Sequence, residues 1–89
     1  MNKDKDMVVN DFTDYVIKPT SITIYNKDTI DYKGKFIARL FQIEPGKVIP
    51  TNVIALSKDL EEIRNTIPSH MHCFPACEID DKNIIETWI

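Results

Sequence analysis

The sequence predicts an α+β domain: a small antiparallel or mixed sheet of four to five strands with one or two helices packed on it. Three observations carry that reading. Apolar residues alternate with period two through residues 20–25 and 83–89. They recur at helical spacing through 7–17 and 58–66, and turn residues separate the segments. A chain of 89 residues has room for one core, so 7–89 reads as a single α+β domain behind a disordered tail at 1–6.

In the first segment Val8, Val9, Phe12, Tyr15 and Val16 share a helical face, opposite Asn10, Asp11, Thr13 and Asp14. Asp6 stands where a cap belongs, and Lys18-Pro19 ends the segment, because the residue before proline avoids helical angles. A strand through 15–17 is the competing reading. Residues 20–25 place Ile22 and Ile24 on one face and Ser21, Thr23 and Tyr25 on the other, a half-buried strand. Asn26-Lys27-Asp28 is a turn, 29–32 a short strand or loop, and Lys33-Gly34-Lys35 a second break.

Residues 36–43 are apolar on both faces, with Phe36, Ala38 and Leu40 against Ile37, Phe41 and Ile43, as in a strand inside a sheet. Glu44-Pro45-Gly46-Lys47 then has turn chemistry, with proline presetting one central position and glycine supplying positive φ at the next. The chain returns as a strand over 48–56, where Pro50 marks a bulge or an edge. Ser57 is the expected cap of a helix over 58–66, whose Asp59, Glu61 and Glu62 suit the positive end of the dipole. Leu60, Ile63 and Ile67 form its buried stripe, and Pro68 stops it. Residues 69–82 read as an irregular connection, with 69–77 a connecting strand or loop that buries Met71 and Cys73 and turns His70 and His72 to the other face. Residues 83–89 read as a last strand in the core sheet, with Trp88 buried.

Composition excludes several functions. Hydrophobic residues are 43% of the chain, enough for a folded core rather than disorder. The net charge of −3 comes from mixed signs: Lys27, Lys33, Lys35 and Arg39 in the middle, and Asp59, Glu61, Glu62, Glu78, Asp80 and Asp81 later. There is no basic stripe for a phosphate backbone, so no nucleic-acid partner is expected. No apolar run approaches the ~20 residues that span a bilayer, so no membrane partner is expected either. The polar start lacks a signal peptide, which places the chain in the cytoplasm with Cys73 and Cys77 as thiols. Abundant Ile, Lys, Asn and Asp fit an AT-rich coding genome, such as a low-GC bacterium or its mobile elements.

One window carries candidate chemistry. Residues 69–77, Ser-His-Met-His-Cys-Phe-Pro-Ala-Cys, hold every histidine and cysteine of the chain. His70, His72, Cys73 and Cys77 are the residue types that zinc and copper take as ligands. Four ligands within eight residues, two of them adjacent, cannot easily surround one ion, so a metal would need ligands from a second subunit. Cysteine nucleophilia at Cys73 or Cys77 with a histidine base is a further reading, but His72 and Cys73 point apart on a strand. The adjacent acids Glu61-Glu62 and Asp80-Asp81 read as solvated. No phosphate loop, dinucleotide fingerprint, nucleophile elbow or helical zinc-protease motif is present, and no cofactor is expected.

The expected function is therefore a small non-enzymatic binding or regulatory module. Its partner is another protein, or a second copy in a homodimer, met through sheet edge and apolar surface; a mobile-element accessory role fits the size. The alternative is a metal-binding or metal-sensing protein using His70, His72, Cys73 and Cys77.

Overall fold

The computed structural model describes residues 5–17, 19–27, 32–77 and 82–89. They form a six-stranded mixed sheet in the order β1-β4-β3-β2-β6-β5. The strands are β1 (Met7–Val8), β2 (Thr20–Tyr25), β3 (Phe36–Glu44), β4 (Lys47–Ser57), β5 (Cys73–Pro75) and β6 (Ile84–Trp88). Only β1 and β4 run parallel; the other neighbours are antiparallel. The helical part is one short helix, α1 (Leu60–Arg64), and a 3-10 turn at Thr13–Tyr15. This corrects the expected fold: the sheet has six strands rather than four or five, and it is not a helix-plus-sheet packing.

The largest departure is at 7–17. Its helical spacing is real, but of its five face residues only Phe12 is fully buried, while Val8 is 57% exposed. Val8, Val9, Thr13 and Val16 are β-branched and disfavour helix. Asp11 also competes with a helical ladder, because its carboxylate accepts from Thr13 N at 3.0 Å. The chain instead extends, pairs Met7 and Val8 with Val53 and Ile54, and turns once before β2.

Local signals placed the central strands well. Pro45 and Gly46 close the β3–β4 hairpin with Glu44 opposite Lys47, and Gly46 has φ +76°, the conformation only glycine adopts freely. Pro50 precedes a bulge: Phe41 faces Pro50 and Arg39 faces Ile54, so Thr51, Asn52 and Val53 together oppose Leu40. Thr51 stitches the gap, its hydroxyl donating to Leu40 O at 2.6 Å and accepting from Val53 N at 3.2 Å.

The second helix is shorter than expected, and its cap is Asp59, which accepts from Glu61 N at 3.0 Å; Ser57 instead accepts from Asp59 N. The connection at 69–82 contains β5, the strand alternative for this window; Met71 is buried as expected, but Cys73 is exposed. The segment 29–31 lies outside the described residues, as do 1–4, Lys18, Asp28 and 78–81.

One face of the sheet holds the main core. Ile22, Ile24, Ala38, Leu40, Val53 and Ala55 point to it from three strands, and Phe12, Ile63, Ile67 and Met71 close over them. On the opposite face Ile37, Arg39 and Ile54 are also buried, so β3 is apolar on both sides for the expected reason.

Candidate docking site at the open end of the sheet

The His/Cys window does not assemble. Met71 enters the core, whereas His70, His72, Cys73 and Cys77 are all exposed. His72 exchanges backbone hydrogen bonds with Ile89, at 2.8 and 2.9 Å, so the window runs as an extension of β5 along β6. Four extended residues put the Cys73 and Cys77 backbones roughly 13 Å apart, well past the ~7 Å that a disulfide reaches. Among the described residues no three His, Cys, Asp or Glu side chains come together as a metal site would need. Desolvation, and then the neighbouring Glu86 carboxylate, push the Cys73 thiol above its ordinary pKa, the opposite of what a nucleophile requires.

Two ion-pair networks that no sequence signal revealed lie on opposite faces. On the core face Glu86 sits across from Ile24, 4% exposed. Arg64 of α1 grips it with both ends of its fork, at 3.1 and 2.8 Å, and Trp88 Nε1 donates at 2.7 Å. Arg64 also donates to Glu61 on the helix surface. The Arg64 hydrogen bonds hold the Glu86 carboxyl below the usual range against the opposing pull of burial. On the other face Arg39 donates twice to Asp6, both at 3.0 Å, and to Thr51 O at 2.7 Å; Tyr32 donates to the same carboxylate at 2.9 Å. Asp6, placed by its position as a helix cap, is thus the buried partner of Arg39 and sits below the usual carboxylate range because of it. Each carboxylate is saturated by donors, so these clusters lock the fold: one ties α1 to β6, the other ties the N-terminal segment to β3.

The open surface lies elsewhere, at the end of the sheet where β2 begins and β3 and β6 finish. Two shallow grooves meet there. One, of about 230 Å³, has Leu40 and Val53 at its floor and Tyr15, Ile17, Gln42 and Thr51 around it. The other, of about 250 Å³, is lined by Val16, Pro19, Ile43, His70, Met71 and Ile89. Thr20 lines both and forms the wall between them. Thr51 and Val53, both in the β4 bulge, line the first groove. Of the large apolar side chains exposed among the described residues, Tyr15, Ile17 and Ile89 line these grooves, and Val48 is the cross-strand partner of Ile43 at the rim.

Compared with known protein families, curated proteins and solved structures, the chain matches none. No helix among the described residues is long and apolar enough to cross a membrane.

Proposed function

We propose that the protein is a small docking module that receives apolar side chains of a protein partner in the paired grooves at the open end of its sheet. The observation that carries this is the size and lining of the pair. Clefts for metabolites and cofactors run from about 300 to 1,000 Å³ and converge polar groups on the ligand. Each groove here is smaller, mostly apolar, and lined by no acidic, lysine or arginine side chain. Such a space fits one anchor side chain of an interface. The Thr20 hydroxyl, buried in the shared wall with no partner among the described residues, is a second mark of an unfinished surface.

The sheet edges support docking on the end rather than strand addition. Ile43 N–H bonds Pro19 O on the β2 side, so β4 turns residues 47 and 49 toward β3 and residues 48 and 50 outward. At the other edge residues 72 and 76 bond inward to β6, so 73, 75 and 77 face out. The open stretch of β4 before the bulge and the outer side of β5 therefore each carry a proline, Pro50 or Pro75, at a position whose missing N–H would have met an incoming strand. Farther along, Val53 and Ile54 of β4 are covered by the two-residue β1, which is the outer strand there.

A methyl-detected NMR titration of the full chain with isobutanol tests the grooves without knowing the partner. Shifts should concentrate on Leu40, Ile43, Val53 and Ile89. Shifts spread evenly over the surface, or none, would remove the docking reading.

A further inference from the structure

We infer that the outer edge of β4 is a binding edge for an acidic peptide strand of a partner protein, and that residues 5–9 occupy it in cis as a displaceable strap. The inference goes beyond the groove reading and does not depend on it. β1 closes this edge at rest, so the incoming strand takes the place of β1 rather than adding outside it. The chemistry of the occupant is visible because the strap already shows what the edge accepts. The Arg39 side chain is 4% exposed and needs an anion beside it, since a buried guanidinium left alone is strongly destabilising. Asp6 supplies the carboxylate and takes both arms of the fork. Tyr32 donates to the same carboxylate, and Thr51 O holds Arg39 independently of it. Both side-chain donors that receive an acidic residue therefore stand outside the strap. Met7 and Val8 follow, parallel to Val53 and Ile54, and the Val9 N–H bonds Ile54 O.

The strap fills this edge incompletely. Met7 and Val8 are 41% and 57% exposed, so they bury little apolar area. β1 ends after two pairs, although β4 runs on to Ser57. Where the chain leaves β4, a cleft of about 300 Å³ is lined by Val9 and Asn10 together with Ala55, Leu56 and Ser57. A strand longer than the strap, kept in the same register, would run into this cleft and add backbone pairs that residues 5–9 do not make. Residues 5–9 of a second copy would only exchange identical contacts, so a foreign strand has more to gain. Release is local: Phe12 is fully buried and pins the chain just beyond, and the exposed Asn10 and Asp11 are where it can bend.

An NMR titration of the full chain with the synthetic acetylated peptide Lys-Asp-Met-Val-Val-Thr-Thr-Thr tests this. In the Asp6→Asn chain, whose strap lacks the charge, the peptide should shift the Ile54 and Leu56 amides. It should bind there about 10-fold or more tighter than in the parent, where a tethered carboxylate competes at an effective concentration of about millimolar. The same peptide with Asn in place of Asp should bind about 10-fold or more weaker, because Arg39 gains no counter-charge. In the parent, excess peptide should speed hydrogen exchange at the Val9 N–H, the mark of a displaced strap. This last measurement does not depend on the variant folding. Equal binding of the two peptides would overturn the Arg39 site. Binding to the parent that leaves Val9 protected would overturn the inference in favour of addition on the free edge of β1. No binding to the parent or the variant at millimolar peptide would overturn it as well, whether or not the grooves take isobutanol.

Discussion

Replacing Arg64 by methionine should destabilise the folded chain by about 3–5 kcal/mol, the usual cost of leaving one member of a buried ion pair alone. The Glu86 side chain is 6% exposed, and without Arg64 it would keep Trp88 as its strong donor while losing both charge-assisted bonds. Arg64 is 35% exposed, so part of its attraction is already screened and the lower end of the range is the better expectation. For a chain this small the whole margin is about 5–15 kcal/mol, so the change is large. Urea denaturation at neutral pH measures it. Adding Glu86→Gln to Arg64→Met should recover much of the loss, because it removes the stranded charge. A single variant within about 1 kcal/mol of the parent would show that α1 is not held by this pair.

Asp6→Ala should cost a similar ~3–5 kcal/mol for the mirror reason. It strands Arg39, whose side chain is 4% exposed and whose Nε has no partner even in the intact protein, with Thr51 O as its remaining acceptor. The change should also free β1: the Val9 N–H, bonded to Ile54 O at 2.8 Å, should lose hydrogen-exchange protection before the central strands do. Protection of Val9 that persists in the variant would contradict the tether. Both carboxyls titrate below their ordinary range in the fold, Asp6 through Arg39 and Glu86 through Arg64. Groups of this kind add stability that is fully present above the unfolded-state pKa and is lost as pH falls through the lowered folded value. The intact protein should therefore lose stability in acid, starting near pH 4–5 and continuing below it. Asp6→Asn should show a shallower acid limb than the parent, since one of the two titrating groups is gone.

These two pairs also show where the sequence stops being informative. β2, β3, β4 and β6 were legible because alternation and turn chemistry are local: Pro45-Gly46 fixes its hairpin within four residues. The face of Glu86 could be read from its alternation with Trp88, but its partner lies 22 residues away on α1. Asp6 and Arg39 are 33 apart. β5 could be read only as a strand or a loop because three residues including a proline have no period of their own; their structure comes from pairing with β6. At 7–17 the period was present and tertiary context overrode it, since a two-residue pairing with β4 and a buried Asp6 compete with a helix of β-branched residues.

The grooves were the least legible feature. Thr51 and Val53, which line the first, sit in the bulge that Pro50 signals, but nothing in the chain marks Thr20 as common to both linings. The window that looked richest in chemistry, 69–77, contributes His70 and Met71 to a groove lining and no reactive group. Phe12 is buried as expected, but Tyr15 is 37% exposed and belongs to the rim of the other groove.

The most direct measurement is a set of intermolecular NOEs between isobutanol and the methyl-labelled full chain. NOEs are expected from the alcohol's methyls to Leu40 and Val53 in one groove and to Ile43 and Ile89 in the other. NOEs confined to Val8 and the β1 edge, or none at millimolar isobutanol, would contradict the docking reading.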